Sequence, residues 1–468
     1  MGIAVSNWEL ARAVSSRGQL GVVSGTAVDS VLVRRLQDGD IGGHMRRAME
    51  HFPWPAVVED VLRKYLRPEG RGADDSYRLL PMYRQVVARA RQEVTILANF
   101  VEVFLAKEGH DGEVGINLLT KVQMPNLPSL YGAMLAGVDY VLMGAGIPKE
   151  IPGALDRLAV HEVAALRLDL EDAARDDVEF LHFDPAVYWH GPPSPLKRPR
   201  FLAIVSASSL AAMLARKANG YVDGFVVEGP TAGGHNAPPR GGGSLSEKGE
   251  PVYTERDIAN LEGMRSLGRP FWLAGGTGTP DGLRSALDAG AAGIQVGTLF
   301  AYSRESGMDD AYRQQVVRQV QNGGVSILTD GRASPTGYPF KVVQLEGTNA
   351  KRELYSARER ICDLGYLRVA YRTKDQRVNY RCAAEPVDTF VKKDGALKDT
   401  VGRKCLCNAL MADIGMAQVR NGEEERAIIT SGDDVTRLNE FLDGRTDYGA
   451  ADVLEYLLAG VLATASVD

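Results

Sequence analysis

Short apolar runs bounded by glycine or polar residues recur through the first two thirds of the chain. They are Gly21-Val-Val-Ser, Val114-Gly-Ile-Asn-Leu-Leu, Tyr140-Val-Leu-Met, Phe201-Leu-Ala-Ile-Val, Gly224-Phe-Val-Val, Phe271-Trp-Leu-Ala and Gly293-Ile-Gln-Val. Several are apolar throughout, the pattern of parallel strands covered on both faces. Between them lie segments with helical signals. Asn7 is placed to cap residues 8–17, and Pro280 opens a segment that Gly290 stops. Strands alternating with helices predict a parallel sheet in an α/β protein. Seven strands are visible in this pattern, and Met1-Gly2 leads at once into the first capped helix. The first strand of an eight-stranded barrel would therefore precede residue 1.

Two intervals interrupt the rhythm. Residues 38–112 carry charged, helix-like stretches (44–51, 55–65 and 82–107), and residues 146–200 contain Gly191-Pro-Pro-Ser-Pro. Both read as surface insertions. Beyond about residue 330 the alternation stops, leaving a mixed tail with four cysteines and a predicted terminal helix at 450–463. The organisation expected is a barrel over 1–330 and a smaller C-terminal region over 331–468.

Composition narrows the possibilities. The 468 residues include 51 glycines and are 44% hydrophobic, enough for a large core with many tight turns. A net charge of −6 gives no electrostatic reason to expect a nucleic-acid partner. No 18-residue apolar stretch or signal-peptide pattern is present, so a cytoplasmic enzyme without a membrane span is expected.

The chemistry concentrates in residues 222–243, VDGFVVEGPTAGGHNAPPRGGG. A strand opens into a glycine-rich loop that holds His235 at the strand's carboxyl end, where α/β folds place their sites. An imidazole there suits proton transfer, although a single histidine is more often structural. Gly275, Gly276, Gly297 and Thr298 end two successive strands. In a (β/α)8 barrel such turns cradle a phosphate with backbone N–H groups, and otherwise they only permit tight turns. Gly276, Gly278 and Gly282 miss the Rossmann spacing. Asn117 stands inside an apolar strand, where its amide needs a partner from a ligand or from neighbouring backbone. Cys362, Cys382, Cys405 and Cys407 are weak candidates for a metal site; their spacing matches neither a CxxC pair nor a ferredoxin run, and buried thiols are the alternative.

Together these motifs resemble the nitronate monooxygenase (2-nitropropane dioxygenase) family of FMN-dependent (β/α)8 TIM barrels. The likeness runs through Met1-Gly2, Gly115-Ile-Asn-Leu, Ala232-Gly-Gly-His, Leu273-Ala-Gly-Gly, Gln295-Val-Gly-Thr-Leu-Phe and Ser334-Pro-Thr-Gly-Tyr-Pro. It implies an FMN cofactor near Met1, Gly2, Asn117, Glu228, Gly233 and Gly234. It also implies a phosphate on Gly275, Gly276, Gly297 and Thr298, and an active-site His235. The activity implied is oxidation of alkyl nitronates by O2 to a carbonyl compound and nitrite. Glu228 stands where many family members carry glutamine, and the loop after His235 also departs from them. In these features the chain is similar to the trans-acting enoyl reductases of polyketide and polyunsaturated fatty acid synthases. That alternative implies NADPH, an enoyl thioester and an acyl carrier protein as partner. A flavin-binding subunit without turnover is a third possibility.

Overall fold

A computed structural model of the chain describes residues 2–174, 176–242 and 244–465. Its centre is a seven-stranded, wholly parallel sheet. The strands are β1 (Gly21–Ser24), β2 (Val114–Leu119), β3 (Tyr140–Gly144), β4 (Arg200–Val205), β5 (Gly224–Glu228), β6 (Phe271–Ala274) and β7 (Gly293–Gln295). They are hydrogen-bonded in sequence order. Every strand expected from the apolar runs is present, and the topology is that of a (β/α) barrel wall. Among the described residues β1 and β7 are the two edges. Residues 3–6 run beside β1 and the segment after β7: Ser24 N–H donates to the Ser6 carbonyl at 2.8 Å and Gly307 N–H to the Val5 carbonyl at 2.8 Å.

Side chains alternate across each strand. One face sends Val23, Ile116, Val141, Phe201, Phe225 and Phe271 into the main core against the helices. The other face packs Tyr140, Leu142, Leu202 and Val226 inside the wall. Phe201, Phe225 and Phe271 are at most 1% exposed. Such burial stabilises by about 1.5–3 kcal/mol per side chain and fixes which residues face inward.

Helices form where the caps predict. The Asn7 side chain accepts from Leu10 N–H at 2.9 Å to start Trp8–Ser15. Thr279 caps Pro280–Asp288, which ends before Gly290 at φ +82°. Within residues 38–112, Pro55–Tyr65 is helical as expected, but the helix expected from 82 begins only at Arg89, and it is buried in the main core rather than forming a surface insertion. The tail holds residues 82–88 extended: Gln85 N–H donates to the Tyr380 hydroxyl at 2.5 Å and Arg368 to the Tyr83 carbonyl at 2.5 Å. Within the second interval, Ala164–Leu168 pairs antiparallel with Glu179–Phe183. The tail strand Val369–Arg372 adds in parallel to Leu170–Glu171 of the same interval.

The C-terminal region packs back on the barrel. Leu299 and Tyr302, after β7, share an apolar cluster with Phe340, Ile428, Leu438 and Tyr448. The terminal helix, Ala450–Ala465, runs close to the expected span. No helix among the described residues is long and apolar enough to cross a membrane.

Candidate active site

Sheet register decides which polar side chains enter the barrel. Ser24 is level with Asn117, Glu228 with Ala274, and Ala274 with Gln295. These residues share the inner face with Val226 and, except for Asn117 in mid-strand, lie at the carboxyl ends of their strands. Asn117 is buried, whereas Glu228 and Gln295 are half-buried and keep access to the barrel mouth. The side chains of Asn117, Glu228 and Gln295 make no hydrogen bond to protein among the described residues. Three polar groups thus face the barrel interior with hydrogen-bonding capacity to spare, which a polar ligand would use.

The loop after β5 is held from the C-terminal side. Gly234 N–H donates to Thr430 Oγ1 at 2.9 Å, Lys341 N–H to the Gly234 carbonyl at 3.0 Å and Asn236 N–H to the Pro339 carbonyl at 2.9 Å. His235 follows at the centre of this clamp. Its Nε2 lies 2.7 Å from Ser334 Oγ, and its ring meets Phe340 edge-on at 4.9 Å. Ser334 is itself fixed by Thr336 Oγ1 at 2.8 Å and by Arg403, which donates to its carbonyl at 2.6 Å. The Ser334-Pro-Thr-Gly-Tyr-Pro segment therefore positions the imidazole, whose Nδ1 has no partner among the described residues.

Burial separates the two titratable groups of the mouth. It pushes the Glu228 carboxyl up to about 7 and holds the His235 imidazole down at about 4. Burial disfavours whichever form is charged, so the acid rises and the base falls. Near neutral pH His235 is therefore an uncharged hydrogen-bonding group, and Glu228 exchanges its proton.

The residues expected to form an anion cradle follow β6 and β7. Gly275 and Gly276 follow β6 in the left-handed region, at φ +84° and +74°. A Cβ on Gly275 would stand 2.8 Å from Ala232 N, so the turn depends on glycine there. Gly276 and Gly297 are exposed, and a Cβ on Gly297 would meet nothing within 4 Å. Thr298 is buried, and its Oγ1 accepts from Gly432 N–H at 3.2 Å. Gly233 lies against the tail, with Gly432 N and Ser431 C only 2.7 Å from the position of a Cβ.

Other expected residues fall differently. Met1 lies outside the described residues. Gly2 is buried beside Val5, and Asp413 Oδ2 lies 3.9 Å from where its Cβ would be. The four cysteines are free thiols. The neighbouring Cys382 draws the Cys362 thiol below its usual range. Among the described residues, however, no group of three or more histidines, cysteines and carboxylates is arranged to hold a metal ion. Sequence reasoning did not single out Gln295, Lys341 or residues 430–434. Gln295 alone had a signal, a polar residue ending an apolar strand.

The sequence model of a family described as nitronate monooxygenase matches residues 168–441, more than half of the chain. A Mycobacterium tuberculosis protein, (3aS,4S,5R,7aS)-5-hydroxy-7a-methyl-1-oxo-octahydro-1H-indene-4-carboxyl-CoA dehydrogenase, is 31% identical over 146 residues. The match covers 31% of this chain and 36% of that protein, little more than a third of its length. Among solved structures, FabK from Thermotoga maritima aligns over 98% of this chain and 90% of its own, with 15% identity and a TM-score of 0.47. Nitroalkane oxidase from Streptomyces ansochromogenes aligns over 100% and 95%, with 13% identity and a TM-score of 0.45.

Proposed function

The chain belongs to the nitronate monooxygenase family of flavin-dependent oxidoreductases, and we propose that it binds FMN at the barrel mouth and oxidises alkyl nitronates with O2 to a carbonyl compound and nitrite. The observation that carries this reading is the unpartnered set Asn117, Glu228 and Gln295 on the inner face, beside a clamped and neutral His235. These residues fit a flavin. The Asn117 and Gln295 amides match the alternating donors and acceptors of its ring edge, and the exposed backbone at Gly276 and Gly297 can approach a phosphate. When bound, FMN supplies the electron transfer between substrate carbon and oxygen.

The protein's own residues divide the remaining work. A preformed nitronate needs no deprotonation, whereas a neutral nitroalkane must lose a proton from carbon. Glu228, titrating near 7, is matched to that step. His235, titrating near 4, is the weaker base, and its free Nδ1 serves better to orient the substrate's oxygens. This assigns the proton to Glu228 and positioning to the histidine.

A second reading, reduction or oxidation of an acyl thioester, has one specific support: the M. tuberculosis relative is named for a carboxyl-CoA substrate. A half-protonated Glu228 would also serve as proton donor to an enoyl thioester. Anaerobic absorption spectra of the FMN-loaded protein separate the two. Bleaching of the flavin by nitronate supports the first reading. Bleaching by NADPH alone, with recovery on adding a 2-enoyl thioester, would replace it with the second.

A further inference from the structure

The mouth contains an acidic segment that the proposed chemistry does not use. Residues 430–435, Thr-Ser-Gly-Asp-Asp-Val, border the glycine turns expected to receive a phosphate. The Asp434 carboxylate lies against the Gly276–Gly278 turn, whose backbone favours its charged form. Its Oδ2 is 3.3 Å from where a Gly278 Cβ would stand, and its Oδ1 is 3.9 Å from that of Gly276. Beside it, Gly432 N–H donates to Thr298 Oγ1 at 3.2 Å, and Asp433 N–H donates to the Thr231 carbonyl at 2.9 Å. Gly234 N–H donates to Thr430 Oγ1 at 2.9 Å. Each end of the segment is thus tied to a loop of the barrel mouth.

The charge balance is lopsided. Lys341 Nζ neutralises Asp433 at 2.7 Å, with Thr329 Oγ1 also on the ammonium at 2.9 Å. Asp434 has no such partner, since the nearby Arg437 is exposed and paired with Glu440 at 2.8 Å. What remains is one carboxylate beside the Gly276–Gly278 turn, where a phosphate oxygen facing that backbone would stand. A carboxylate and a phosphate dianion cannot share that place without like-charge repulsion at close range.

Resting on the FMN reading above, we infer that residues 430–435 are a built-in occupant of the anion cradle, with Asp434 standing in for a phosphomonoester, so that the FMN phosphate binds only as this segment gives way. The cradle is then a competitive site within one chain. Cofactor loading is set by how readily the tail releases Gly276 and Gly278. The raised titration of Asp434, where burial outweighs the backbone of the turn, is consistent with a carboxylate held less well than an ideal ligand.

Riboflavin provides the test, because it carries the flavin ring without the phosphate. Binding of FMN and of riboflavin is measured by quenching of flavin fluorescence, on wild type and on Asp434→Ala. The expected result is that FMN binds the variant tighter by roughly tenfold or more, the scale of removing one close like charge, while riboflavin affinity is unchanged. In wild type, hydrogen exchange of the 430–437 peptide should speed up on adding FMN and not on adding riboflavin. This arm holds even if the variant folds poorly. Unchanged or weaker FMN binding by Asp434→Ala, equal tightening of both flavins, or 430–437 exchange unaltered by bound FMN would each overturn the inference alone. Binding of neither flavin by either protein would overturn the FMN reading with it.

Discussion

Replacing Glu228 with glutamine removes a titratable proton from the barrel mouth while keeping a side chain of nearly the same shape. Its consequence can be worked from the charge state. With a carboxyl titrating at about 7, roughly a tenth of the enzyme carries the carboxylate at pH 6 and roughly nine tenths at pH 8. Turnover of a neutral nitroalkane at limiting substrate should therefore rise about tenfold between these values. His235, titrating at about 4, is already neutral throughout this window and adds no step to it. Glu228→Gln should lose the rise and lower nitroalkane turnover by about 10²–10⁴-fold, the usual worth of a general base. Oxidation of a preformed nitronate should fall far less. The assay is nitrite release and oxygen uptake with matched nitroalkane and nitronate from pH 5.5 to 8.5. A flat wild-type profile above pH 5.5 would refute the base assignment to Glu228 and return the proton to His235. Equal losses on both substrates would show that the carboxyl holds the cofactor or substrate instead.

Four further outcomes are expected. The protein purified without added flavin, or reconstituted with FMN, should release FMN and not FAD on denaturation, as chromatography of the supernatant will show. Gly276→Asp should weaken FMN retention as measured by dialysis, because it adds charge at the cradle and a side chain at φ +74°. Ser334→Ala removes the partner of His235 Nε2, so the imidazole's NMR titration should move while the pH 6–8 step of nitroalkane turnover stays in place. The folded state depresses the His235 pKa, so it contributes stability that is complete above the unfolded value near 6.5 and is lost as pH falls towards 4. His235→Asn should accordingly flatten the fall of melting temperature between pH 6.5 and 4.

Much of the barrel was legible because its strands are buried on both faces, which leaves runs such as Phe201-Leu-Ala-Ile-Val apolar from end to end. In that background Asn117 stood out as a polar residue inside an apolar strand, whereas Glu228 entered only through the family resemblance. Their inward direction, however, came only from register. Gln295 ends a three-residue strand too short to show its alternation. The partners of the loop residues were illegible for a different reason. Ser334 is 99 positions from His235, and Thr430 is 196 from Gly234. Hydrogen bonds between irregular loops leave no periodic trace. Thr-Ser-Gly-Asp-Asp reads only as a turn, because those residue types satisfy a turn wherever it lies. The late start of the helix at Arg89 has the same origin, since contacts from Arg368 and Tyr380 in the tail outweigh local helical preference over 82–88. The last three of these gaps trace to the region after residue 330. The strands supply Asn117, Glu228 and Gln295 to the mouth, while the tail supplies the groups that aim His235 and border the cradle. On the proposed reading, the chemistry of the site belongs to the barrel, and access to it belongs to the tail.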